Sequence, residues 1–396
     1  MSARDRAGLA AAEAQAVAIP VYTDKNGSFP GFCGSASRQS YQEQPTPPMH
    51  ILRSTAALNH PVDTDPVNEQ AEAVSLNAAA VILLDDLLST PASFAAEIHE
   101  CGGSRVIDCG VSATGNNSLG MLLARVALGG QGEVGLSDTA GGTPLEEVWP
   151  KCPWPVVTVA SADPVAACLA SQYAGWKVDD SGYFAMASGP LRAAIGGEEI
   201  FDTIGRRERV PVAVGLLEAS QLPPERVCCQ LADRAGVEPG GLILLVAATA
   251  SPAGTMQVVA RSLETALHQL HERKFDLSRI IAGWAAAPLP PVAADNLTAI
   301  GRTNDAILYG GFVQLEITGD DASLDLIGPQ IVSSHSPAHG QPFRDLFKQA
   351  NGDFYALDPA IFAPAMVEFI NHDTGRRRRF GRIEAGVIEQ SFTATG

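Results

Sequence analysis

The sequence predicts an α+β fold built as two mixed α/β-layer domains, and three observations carry that prediction. At 396 residues the chain exceeds what one hydrophobic core commonly organises. Apolar runs of strand length and apolar positions at helical spacing are interspersed, with some αβ alternation but no sustained βαβ repeat. Two stretches rich in Gly and Pro, residues 141–155 and 285–294, interrupt the pattern and are candidate linkers.

Residues 1–67 show neither period for long and read as a poorly ordered extension, within which Met49 offers an alternative initiator. The ordered region is expected from Asn68 to about residue 393. Residues 69–88 place Ala73, Leu76, Ala80, Leu83, Leu84 and Leu87 at helical spacing, and Thr90-Pro91 has the form of a cap followed by proline at a first helical position. Ser104 to Gly110 reads as a strand and Leu119 to Leu128 as a helix. Pro155 to Ala160 is a strand, after which Asp163-Pro164 opens a helix to Ala174. Val210 to Leu217 is an apolar strand followed by a helix from Pro224 to Ala235, and Leu242 to Ala247 is a buried strand feeding a long helix over 252–272. Strands follow at Phe312 to Ile317 and Met366 to Asn371, with a helix near 342–350.

Composition removes several classes of function. A formal charge of −17 argues against a nucleic-acid groove or an anionic membrane surface as partner. The one basic run, Arg376 to Arg379, follows Asp373-Thr374-Gly375 and reads as a solvated hairpin arm. No run of eighteen apolar residues exists, and Ala7 to Pro20 lacks the unbroken apolar core of a signal peptide, so a cytoplasmic location is expected. The seven cysteines form no C-x-x-C pair, and several lie in apolar runs, which fits reduced thiols. His268 and His271 share a helix and His335 and His339 are four apart. Neither pair has a third ligand at metal spacing, and no metal is predicted.

The most informative segment is 252–272. Ser251 can cap it and Pro252 occupies its first position. Val258, Val259, Leu263, Ala266, Leu267 and Leu270 form a stripe for burial, while Gln257, Arg261, Glu264 and His268 share the opposite face. By spacing alone that face is either a solvated stripe with one weak i,i+3 ion pair or a carboxylate held ionised by a guanidinium for use as a general base.

The run Thr249-Ala250-Ser251-Pro252-Ala253-Gly254-Thr255-Met256-Gln257-Val258-Val259-Ala260-Arg261-Ser262-Leu263-Glu264 resembles the signature segment of methenyltetrahydromethanopterin cyclohydrolases. Further fragments match in the same order: Asp108-Cys109-Gly110-Val111, Ser171 to Trp176, Phe184 to Pro190, Glu218 with Leu222-Pro223, and Thr303-Asn304-Asp305 with Tyr309-Gly310-Gly311. Pro342-Phe343, Asn351 to Tyr355 and Phe362 to Ala365 complete them, so the likeness covers about residues 69–393.

The resemblance implies reversible hydrolysis of 5,10-methenyltetrahydromethanopterin to the N5-formyl compound, without metal or cofactor, as a step of tetrahydromethanopterin-linked formaldehyde oxidation. It also implies a pocket between two domains and a homo-oligomer, with a trimer the first expectation. The family's catalytic arginine and glutamate fall on Arg261 and Glu264. Gln172 and Glu218 fall on positions around the substrate pocket, and Tyr173 stands where some members carry a lysine, exchanging a charged contact for stacking or a hydroxyl. The same reaction on methenyltetrahydrofolate, or pterin binding without turnover, are the alternatives. The chemistry suits these residue types: the methenyl carbon is already electrophilic, so the site needs only to hold a planar cation and deprotonate a water above it.

Three further residues are candidates for substrate contact. Asn304 and Asp305 can hydrogen-bond a pterin edge or cap a helix, and Ser188, in Ser188-Gly189-Pro190, can help present backbone amides to an anion or form a plain turn.

Overall fold

The computed structural model describes residues 74–394 apart from residues 174, 181, 354 and 355. The expected extension, residues 1–67, and the start of the expected helix 69–88 lie outside the described residues. Twelve strands are found among those described: β1 (Glu97–Cys101), β2 (Ser104–Gly110), β3 (Glu133–Ser137), β4 (Val156–Ser161), β5 (Trp176–Asp180), β6 (Tyr183–Ser188), β7 (Ala213–Glu218), β8 (Leu242–Ala247), β9 (Ile280–Pro288), β10 (Phe312–Ile317), β11 (Met366–Asn371) and β12 (Arg377–Gly381).

They form two six-stranded mixed sheets, so the fold is α+β as expected. The first has the order β1-β2-β8-β7-β6-β5, with β2, β8 and β7 parallel and the outer pairs antiparallel. In the second, β12-β11-β10-β9-β4-β3, β10 and β11 run parallel and every other pair is antiparallel. Strands β7 and β8 are buried at every position, which is why their sequences are continuous apolar runs with no alternation.

The sheets interleave along the chain, and neither proposed linker separates them. Residues 141–155 join β3 to β4, neighbours in one sheet, and residues 285–288 are the last part of β9, a central strand. The Ala-rich run there reads as a connector in the sequence because small residues carry little β signal.

Among the described residues, the α-helices of eight residues or more that precede the segment carrying the site are α1 (Leu76–Leu83), α2 (Asn117–Ala127) and α3 (Glu225–Ala235). Ser75 caps α1 through the amide of Ala78. The buried Asn77 pins α1 to the first sheet: its Nδ2 donates to the carbonyl of Pro190 at 2.8 Å, and its Oδ1 accepts from the amide of Val214 on β7 at 2.9 Å. Thr90-Pro91 opens only a short 3-10 turn, Pro91–Phe94. The helix expected after Asp163-Pro164 is instead π-helical over Val165–Gln172, with Asp163 accepting from the amide of Ala166 at 3.0 Å.

The expected continuous helix 252–272 is two helices, α4 (Pro252–Val259) and α5 (Ser262–Glu272). At the break the Arg261 amide donates to the Val258 carbonyl at 3.0 Å, a tight i→i−3 turn between helical runs. Ala253 packs in the core of the first sheet, whereas Met256, Val259, Leu263, Ala266 and Leu270 pack in that of the second, so this segment passes from one core to the other. Gly120 on α2 permits the close approach of α4: a Cβ there would lie 2.5 Å from Met256 Cβ.

Helices α6 (Asn296–Leu308), α7 (Phe343–Gln349) and α8 (Ala385–Thr393) follow in the second half, with a further seven-residue helix at Asp321–Ile327. Asn304 and Asp305 lie inside the C-terminal part of α6 and do not cap it through their side chains; its N-terminal cap is Asp295, while the Asp305 carboxylate accepts from the first amide of the helix that starts at Phe343. The basic run forms the hairpin arm β12, and its charges are paired: Arg376 and Arg378 with Asp321, Arg377 and Arg379 with the buried Glu368 on β11. The six described cysteines are free. Among the described residues no helix is long and apolar enough to cross a membrane.

Candidate active site

The break between α4 and α5 places a charged pair inside the protein. Arg261 Nη2 donates to Glu264 Oε2 at 3.0 Å, and their side chains are 4% and 0% exposed. The face expected to be polar is therefore buried too, since Gln257 and His268 are 1% and 2% exposed. An ion pair so enclosed is held by geometry, and breaking it by deleting one partner costs about 3–5 kcal/mol.

The π-helical turn supplies the next contact. Arg261 Nη2 also donates to the backbone carbonyl of Gln172 at 2.7 Å. The carbonyls of Leu169 and Ser171 likewise serve partners outside the turn, accepting from Arg192 Nη1 at 2.8 Å and from the Gly189 amide at 2.9 Å. Widened turns of this kind recur at functional sites because they release backbone groups and re-aim side chains. Ser188 ends β6, buried and paired in register with Leu216, one residue before that Gly189 contact.

Glu218 ends β7 opposite Ala247, the last residue of β8, at the C-terminal edge of the parallel strands where α4 begins. Its Oε1 accepts from Thr249 Oγ1 at 2.5 Å and its Oε2 from Gln257 Nε2 at 3.4 Å. Burial raises its carboxyl from 4.5 to about 7, against the opposing pull of the Thr249 hydroxyl, the Arg261 charge and the Gln257 amide. The turn that brings these groups together needs two glycines. A Cβ on Gly110 would meet Ser251 Oγ, the cap of α4, at 2.2 Å, and one on Gly254 would meet the Ala248 carbonyl oxygen at 2.0 Å.

Tyr173 closes the other side. Its hydroxyl lies 2.8 Å from His271 Nδ1 and donates to Glu272 Oε1 at 3.2 Å, while its ring tilts against that of His268 with centroids 4.9 Å apart. Beyond His268 lies a cavity of about 450 Å³ whose lining includes Gln269, Glu272, Arg273 and Asp358.

The cluster is marked by polar atoms with no hydrogen-bond partner among the described residues: Ser171 Oγ, both side-chain polar atoms of Gln172, Gln257 Oε1, Arg261 Nε, Ser262 Oγ and both ring nitrogens of His268. Buried groups left so cost about 1–3 kcal/mol each, so their concentration around one ion pair is what a site for a polar ligand requires.

The structure thus gathers Arg261, Glu264, Gln172, Tyr173 and Glu218 around one helix break. Asp305 belongs to the scaffold: its carboxylate accepts from the Phe343 amide at 2.8 Å and from Ser391 Oγ at 2.6 Å, tying α6 to α7 and α8. Asn304 donates to the Ile300 carbonyl within its own helix. Thr249 and Gln257 were not singled out for contact with Glu218; the signal was present in the Thr-x-Ser-Pro approach to a helix, but a contact across 31 residues has no local pattern.

The chain belongs to the family described as Cyclohydrolase (MCH), whose model matches residues 75–392. Relatives named methenyltetrahydromethanopterin cyclohydrolase include one from Methylobacterium sp. (strain 4-46), 41% identical over 80% of this chain and 97% of its own length. Another, from Methanocella arvoryzae, is 38% identical over 81% of this chain and 98% of its own length. A third, from Rhodopirellula baltica, is 41% identical over 73% and 86%.

Proposed function

We propose that the chain catalyses the reversible hydrolysis of 5,10-methenyltetrahydromethanopterin to N5-formyltetrahydromethanopterin, as a cytoplasmic step of tetrahydromethanopterin-linked formaldehyde oxidation. Glu264 is the general base and Arg261 its orienting partner. The buried Arg261–Glu264 pair carries this reading, because a carboxylate shielded from water and fixed by a guanidinium can both attract a planar cation and take a proton from water. Gln172, Tyr173, Ser188 and Glu218 shape the pocket, and Asn304 contacts the pterin through the carbonyl oxygen that has no hydrogen-bond partner among the described residues. The positive charge of the methenyl carbon makes a metal or cofactor unnecessary. The active form is a homo-oligomer, with a trimer as the first state to test by sedimentation.

Loss of methenyl absorbance on adding purified protein tests the activity, with and without chelator and with methenyltetrahydrofolate as the competing substrate. Glu264→Gln is expected to lower kcat by about 10²- to 10⁴-fold while the protein still folds and binds pterin. Near-wild-type turnover by that variant would remove the base.

A further inference from the structure

Under the proposed reaction each turnover releases one proton. Water adds its oxygen to the methenyl carbon and gives a proton to Glu264, leaving a neutral adduct. When the adduct collapses, the hydroxyl proton moves to N10 as the C–N10 bond breaks, and the formyl group stays on N5. The proton on Glu264 must then reach solvent, yet that side chain is 0% exposed.

His268 stands where an exit is needed. It follows Glu264 by four residues on α5, so the two side chains are neighbours on consecutive turns. It is 2% exposed, neither ring nitrogen has a hydrogen-bond partner among the described residues, and it lines the 450 Å³ cavity. Glu272 and Asp358 are carboxylate acceptors on the cavity wall. The Tyr173 ring, fixed by its hydroxyl contacts with His271 and Glu272, holds the imidazole edge in place.

We infer that His268 is the relay residue through which Glu264 discharges its proton into the cavity beside Glu272 and Asp358. One ring nitrogen accepts the proton while the other releases its own, so no charge remains on the ring, and exchange of tautomers resets it. Burial first, then the neighbouring His271 and the charges of Arg261, Arg273 and Arg192, hold the imidazole neutral, with a pKa of about 3, which suits a group that passes a proton without retaining it.

The inference rests on Glu264 being the base, and its test separates the two claims. His268→Ala and His268→Gln are assayed on methenyltetrahydromethanopterin in weak buffer. Both are expected to lose kcat by about tenfold or more with KM unchanged, below the full cost of removing a base. The solvent deuterium isotope effect on kcat should rise in His268→Gln, and added imidazole should restore His268→Ala saturably, whereas furan, a ring of similar size without a basic nitrogen, should not. Glu264→Gln should stay inactive in imidazole. Wild-type kcat in both His268 variants, or a loss that imidazole does not repair in a folded, substrate-binding protein, overturns the relay and leaves the base untouched. If His268→Ala does not fold, the isotope effect in His268→Gln decides.

Discussion

Replacing Glu218 by Gln should make the protein more stable at neutral and alkaline pH and leave it nearly unchanged in acid. The reason is linkage. The folded carboxyl titrates near 7 and the unfolded one near 4.5, so the folded state binds this proton more tightly. Below pH 4.5 the group is protonated in both states and contributes no penalty; above 7 it is ionised in both, and the cost of a buried charge is fully expressed. At about 1.36 kcal/mol per pH unit, the wild type should lose about 3 kcal/mol across that window through this residue alone. Glutamine cannot ionise and keeps the contacts: its carbonyl accepts from Thr249, and Gln257, whose Oε1 has no partner among the described residues, can turn its amide to accept from the new N–H. Asp305 is also raised by burial to about 7 and imposes a similar slope on both proteins, so the difference between them isolates Glu218. The assay is urea denaturation of wild type and Glu218→Gln at matched concentration between pH 4.5 and 8.5. A difference that stays constant over that range would refute the reasoning.

Gly254→Ala should destabilise by more than about 2 kcal/mol, because the added methyl meets the Ala248 carbonyl at 2.0 Å and the backbone cannot yield; a wild-type urea midpoint would contradict this. Asn77→Ala should cost about 2–5 kcal/mol by leaving the Val214 amide and Pro190 carbonyl buried without partners, checked by the same denaturation. Arg261→Lys retains the charge, but its ammonium ends one bond short of the Nη2 position that donates to both Glu264 and the Gln172 carbonyl. Loss of one charged hydrogen bond, about 1.5–3 kcal/mol, corresponds to about a 10- to 150-fold fall in kcat, and full activity in the absorbance assay would argue against a positioning role.

What was legible in the chain depended on how each element is buried. β2, β8, β10 and β11 have the bounds expected from their apolar runs because they lie inside the sheets. β9 escaped notice because Ala282, Gly283 and Ala285 to Ala287 carry little β propensity, although it pairs on both edges. β5, with Lys177, Asp179 and Asp180, lies at a sheet edge where polar residues blur the pattern. The face carrying Arg261 and Glu264 was recognisable, but its burial was not: periodicity separates apolar from polar, and a polar face turned inward has the same spacing as one turned outward. The break at Ala260 and Arg261 was hidden for a related reason, since both are good helix formers.

The alternation of the two sheets along the chain has a consequence for how the protein is made. β3 and β4 emerge before β5 to β8, so the second sheet is begun, set aside for more than a hundred residues, and resumed only at β9. Among the described residues no single cut leaves each sheet's strands on a fragment of its own, and a ribosome must release most of the sequence before either sheet can close. Slow maturation with exposure to aggregation is the expected outcome, and fragments expressed separately should regain structure only when mixed.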